Sequence, residues 1–99
     1  MENRELLNHV KNGDSDAVLL ALRHKGAIYR INGLINLVRH SLDSQIIIQE
    51  AEKLCYDDTF LDGYTVSDFA YAALDLIQFR KYSGKNDKIY QLIKSKFKF

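Results

Sequence analysis

The chain has 99 residues, 46% of them hydrophobic, 27% charged and 11% aromatic, with no proline, no tryptophan and a formal net charge of +1. That length accommodates one domain, and the composition excludes a collagen-like, disordered or disulfide-stapled protein. The longest apolar runs, Ala17 to Leu22 and Phe69 to Leu74, are six residues each, far below the ~20 that a membrane-spanning helix requires.

The single cysteine, Cys55, has no partner for an internal disulfide and is compatible with a reducing compartment. The sequence Met1-Glu2-Asn3-Arg4-Glu5 has no apolar stretch behind it, so no signal peptide is expected and the expected location is cytoplasmic. Proline breaks helices, and a chain without it can be helical nearly throughout.

Helical spacing governs the elements in chain order. Leu6, Leu7 and Val10 make one stripe in a first helix over 2–12, which Asn12-Gly13-Asp14 ends. Asp14 or Ser15 caps a second helix running to about Lys25, with Gly26 as its stop. A third helix, about 27–40, carries Ile28, Ile31, Leu34, Ile35 and Val38, with Gly33 permitting close helix approach. Asp43 or Ser44 caps a fourth, about 45–56, where Ile47, Ala51 and Leu54 share a face. Residues 57–65 read as the longest irregular piece. A fifth helix over 66–82 aligns Val66, Phe69, Ala70, Ala73, Leu74 and Ile77. A sixth, capped by Asn86 or Asp87, carries Ile89, Leu92, Ile93 and Phe97. The expected fold is a single all-α domain, 1–99, of about six short antiparallel helices.

Asp14, Asp43 and Asp62 each precede a helix, with Val18, Ile47 or Val66 four residues on and Leu22, Ala51 or Ala70 eight residues on. This pattern, best developed from Asp62 to Leu74, resembles the second helix of HEAT-type repeats. The arginine that often follows the β-branched residue is replaced by Leu19, Ile48 or Ser67, and the aspartates are spaced 29 and 19 residues apart. A HEAT-like stack and an irregular helical bundle therefore both stand as architectures.

Catalytic chemistry finds little purchase. His9, His24 and His40 fall on three different predicted helices, and no short-spaced ligand pairs occur, so no metal or cofactor is expected. The glycines are scattered and make no phosphate cradle. Asp57, Asp58, Asp62 and Asp68 read first as turn formers and caps, and Cys55 as a small packed residue. No nucleophile, base and donor set can be assembled, and an enzyme is not expected.

The charge carries more information than its sum. Residues 1–40 have a net of +2, residues 41–79 a net of −7 and residues 80–99 a net of +6. The acidic middle is also rich in aromatics. Asp57, Asp58, Phe60, Asp62, Tyr64, Asp68 and Tyr71 are accordingly the candidate partner-binding residues, and a basic protein the expected partner. Small helical proteins with an acidic face resemble bacterial immunity proteins in type. That resemblance implies neutralisation of a toxin, often a nuclease whose cleft is positive because it holds phosphates. The alternative is nucleic-acid or anionic-surface binding by Arg80, Lys81, Lys85, Lys88, Lys94, Lys96 and Lys98.

Overall fold

Helices form where apolar stripes recur and end where the chain supplies caps. The computed structural model of the protein describes residues 2–61, 63–78, 89, 91 and 92. Its helices are α1 (Asn3–Lys11), α2 (Ser15–Leu22), α3 (Ala27–Arg39), α4 (Gln45–Lys53) and α5 (Val66–Gln78). A 3-10 turn, Leu54–Tyr56, extends α4, and two short strands, β1 (Phe60–Leu61) and β2 (Tyr64–Thr65), pair antiparallel before α5.

The α1–α2 turn shows how local chemistry sets the boundaries. Gly13 takes φ +82°, a conformation that costs other residues strain. Its N–H donates to the Val10 carbonyl at 3.0 Å and that of Asp14 to His9 at 3.1 Å, closing the helix end. The Asp14 carboxylate then accepts from Asp16 N at 3.0 Å and Ala17 N at 3.3 Å, capping α2. Such a cap is worth about 1 kcal/mol. The end of α3 uses the same device, with the Leu42 N–H on the Leu37 carbonyl at 2.9 Å, but there the left-handed residue is Ser41 (φ 53°).

Two expected boundaries move. The second helix ends at Leu22, and Gly26 (φ −81°) is the N-cap of α3 rather than a stop. Side chains satisfy the intervening backbone instead of a further helical turn: the His24 ring accepts from Gly26 N, and Arg30 donates to the His24 and Lys25 carbonyls. The piece expected to be irregular, 57–65, contains the β1–β2 hairpin, with Phe60 opposite Thr65 and Leu61 opposite Tyr64. Between the strands, Gly63 takes φ +88°, the left-handed backbone that tight hairpin connections use.

The helices touch in a regular order. α1 packs on α3 and α3 on α5, while α2 packs on α4, and α1–α2, α2–α3 and α4–α5 meet across the two rows. The core is formed by Val10, Val18, Ile31, Leu34, Ile35, Leu37, Ile47, Val66 and Leu74, all essentially inaccessible to water. Truncating one of the leucines to alanine is expected to cost roughly 2–5 kcal/mol. Gly33 lets α3 lie close on α2: a Cβ there would stand 3.0 Å from Leu22 Cδ2 and 3.3 Å from Ala21 Cβ. From the sixth expected helix, Ile89 is buried in this core and Leu92 packs on it, with helical backbone at 89, 91 and 92. The rest of that helix lies outside the described residues. Among the described residues, no helix is long and apolar enough to cross a membrane.

Candidate functional site

The segment joining α4 to α5 alternates between anchored and exposed side chains. The 3-10 turn buries Leu54 and half-buries Cys55, leaving Tyr56 88% exposed. Asp57 turns back toward the protein. Its Oδ1 accepts from Thr59 N at 3.0 Å, and its Oδ2 lies 2.8 Å from Nε of Arg30. Asp58 points to solvent, and Phe60 is 69% exposed.

Alternation across the hairpin explains why Phe60 faces outward. Successive strand residues face opposite sides. Leu61 and Tyr64, paired with each other, both pack against the core, and the Tyr64 ring meets Phe69 edge-on at 6.2 Å. Phe60 and Thr65 are left on the other side, and Thr65 is occupied in starting α5. Its Oγ1 accepts from Asp68 N at 3.1 Å, and Asp68 Oδ2 accepts from Thr65 N at 3.2 Å, a reciprocal cap.

Hydrogen bonds hold the segment to the start of α5. Ser67 N donates to the Asp57 carbonyl at 2.7 Å, Val66 N to the Thr59 carbonyl at 3.0 Å, and Ser67 Oγ to the Cys55 carbonyl at 2.8 Å. Tyr71 follows Ser67 by one helical turn and is 38% exposed. It therefore shares the α5 face whose first turn is bonded beside Tyr56.

The seven acidic and aromatic candidates thus divide. Tyr56, Asp58 and Phe60 make an outward ridge with Tyr71 beside it, and Tyr56, an aromatic of the same segment, adds to the seven. Asp57, Asp68 and Tyr64 are bound into the fold. Asp62 lies outside the described residues, as do Arg80, Lys81, Lys85, Lys88, Lys94, Lys96 and Lys98.

Arg30 was not foreseen. Its side chain is only 13% exposed. Nη1 donates to the carbonyls of His24 at 2.8 Å and Lys25 at 2.7 Å, and Nη2 to Thr59 Oγ1 at 3.3 Å. One guanidinium therefore joins the α2–α3 loop to the acidic segment. Burial by itself would raise the Asp57 pKa, but the Thr59 hydrogen bonds and the Arg30 charge outweigh it and hold the carboxyl below its ordinary value. Glu50 behaves alike. Burial opposes its charge, yet Arg23 Nε at 2.9 Å and Lys53 Nζ at 3.2 Å lower its pKa.

The α2–α3 loop borders a groove of about 480 Å³, lined by Asn3, Leu6, Leu20, Arg23, His24 and Lys25. Its wall is half-exposed Leu20, and its rim is cationic. His24 Nδ1 accepts the Gly26 N–H at 2.9 Å, so the ring proton sits on Nε2, which donates to Asn3 Oδ1 at 3.0 Å. The only sequence signal for this groove was the run Arg23-His24-Lys25.

Among the described residues, no group of three His, Cys, Asp or Glu side chains is placed to hold a metal ion. No family model matches the chain, and neither the curated proteins nor the solved structures contain a match to it.

Proposed function

We propose that the chain is a non-enzymatic, cytoplasmic protein-binding module whose docking ridge is Tyr56, Asp58 and Phe60, with Tyr71 at its side. The observation that carries this reading is the exposure of two large aromatics on either side of a carboxylate, in a segment fixed at both ends by hydrogen bonds. Each aromatic can bury about 150–250 Å². At exposures of 88%, 69% and 38%, Tyr56, Phe60 and Tyr71 together supply roughly half of the ~800 Å² that one side of a stable interface covers. The fixed backbone limits the ordering cost of association.

The partner is a basic protein. Eight acidic residues against Lys53 alone in residues 41–79 favour a positive surface, and charge complementarity speeds encounter. A toxin nuclease, with a cleft built for phosphates, is the narrower form of this reading, in which Asp58 takes the place of a phosphate. The two helical rows support a HEAT-like stack over an irregular bundle.

Affinity capture on the immobilised chain, at low and high salt, tests the reading. A basic protein should be retained at low salt and released at high salt. Asp58→Lys and Phe60→Ala should each weaken its binding by about tenfold or more. Binding that is indifferent to both substitutions would overturn the assignment. Asp57→Lys is a poor probe, because it would also break the contact with Arg30.

A further inference from the structure

The Arg30 guanidinium places two unlike surfaces side by side. Through Nη1 it holds the carbonyls of His24 and Lys25, on the rim of the cationic groove. Through Nη2 it holds the Thr59 hydroxyl, next to Phe60 and one residue from Asp58. A basic hollow with an apolar wall thus adjoins an acidic ridge with an apolar crest, and the bridging residue is itself nearly buried.

We propose that this two-part surface pairs with the same surface on a second copy of the chain, forming a two-fold dimer. The inference rests on the reading of the ridge as an interface; the second copy occupies the same ridge as the basic protein, so the two compete for Asp58 and Phe60. A two-fold axis makes residue i of one copy meet residue j of the other, and j meet i. Applied to this surface, the operation sets each ridge against the other copy's groove. Phe60 enters the hollow beside Leu6 and Leu20, and Asp58 meets Lys25, with the same contacts made twice.

Three observations favour a second copy. The two halves are complementary in charge, and both offer apolar surface, with Leu20 50% and Phe60 69% exposed. The net charge of the chain is only +1, so two copies repel each other little as whole molecules. Both halves are positioned by hydrogen bonds already present in the single chain, so pairing requires little reorganisation.

Charge reversal tests the reciprocity. Lys25 and Asp58 are exposed, and the side chain of neither takes part in the hydrogen bonds described above. Sedimentation equilibrium at low salt should show a monomer–dimer equilibrium that shifts to monomer as salt rises. Lys25→Glu and Asp58→Lys should each weaken the dimer about tenfold or more. The double variant Lys25→Glu/Asp58→Lys should recover most of the loss, because each reversed charge again faces its opposite. Thermal melts of all three variants verify that they remain folded.

A chain that stays monomeric at every concentration overturns the proposal. So do single reversals that leave the dimer intact, a double variant as weak as its parents, or growth into open-ended assemblies. If the monomeric chain still captures a basic protein through Asp58 and Phe60, the proposed function stands and only the dimer falls. If capture fails as well, the ridge is not an interface of either kind.

Discussion

The α2–α3 loop and the α4–α5 connection meet at one guanidinium, yet they present opposite faces to water. In the first, the His24 ring caps Gly26 and Arg23 Nε contacts Glu50, which leaves Lys25 outermost. In the second, Asp57 and Asp68 turn inward to Thr59, Arg30 and Thr65, which leaves Asp58 outermost. Each loop spends some of its charges on contacts within the chain, and those left over set the sign of its surface. Of the adjacent residues Asp57 and Asp58, the first is therefore bound into the fold and the second left to solvent.

The division can be broken most forcefully at Arg30. Arg30→Ala would leave Asp57 half-buried without its cation and free two carbonyls. A loss of about 2–4 kcal/mol is expected in denaturant unfolding. Combining it with Asp57→Ala should cost less than the two single losses added together, since both remove one interaction.

Acid provides a second route. Glu50 and Asp57 have lowered pKa values in the folded chain. Their contribution to stability is therefore fully present above the unfolded values, near 4.5 and 3.8, and is lost as pH falls through the folded ones. Melting temperature should decline below about pH 4.5, and Glu50→Gln should make that decline shallower.

A smaller effect, of opposite sign, is expected at the end of α3. Ser41→Gly removes left-handed strain at φ 53° and should raise stability by about 0.5–1 kcal/mol. The smallest is on the ridge. Phe60→Ala should change unfolding free energy by no more than about 0.5 kcal/mol while it weakens binding, which would separate recognition from folding.

The apolar stripes were legible in the sequence because helical periodicity is local. Ile31, Leu34 and Ile35 are buried as their spacing required, and Val66, Phe69, Ala70 and Leu74 likewise. Periodicity identifies the inward face but not how far neighbouring elements reach along it, and Ile28 on the α3 stripe is 39% exposed. The hairpin escaped because its strands are two residues each, too short for alternation to register, although Asp62-Gly63 marked the turn. The acidic-aromatic segment was found by composition. Its division into anchored and exposed members was not, since Asp57 depends on a residue 27 positions away. The groove was hidden for the same reason, because it joins Asn3 to Arg23 across two helices.

The hairpin register also restricts how this region can shift. The register pairs Leu61 with Tyr64 and leaves Phe60 on the outward face. Slipping β1 by one residue against β2 would turn Phe60 toward the core and Leu61 toward water, because the faces of a strand exchange at each step of register. Slips made two residues at a time would preserve the outward face. The proposed docking ridge is thus subject to a parity rule, under which single-residue slips of the hairpin exchange its faces even where each substitution nearby is tolerated.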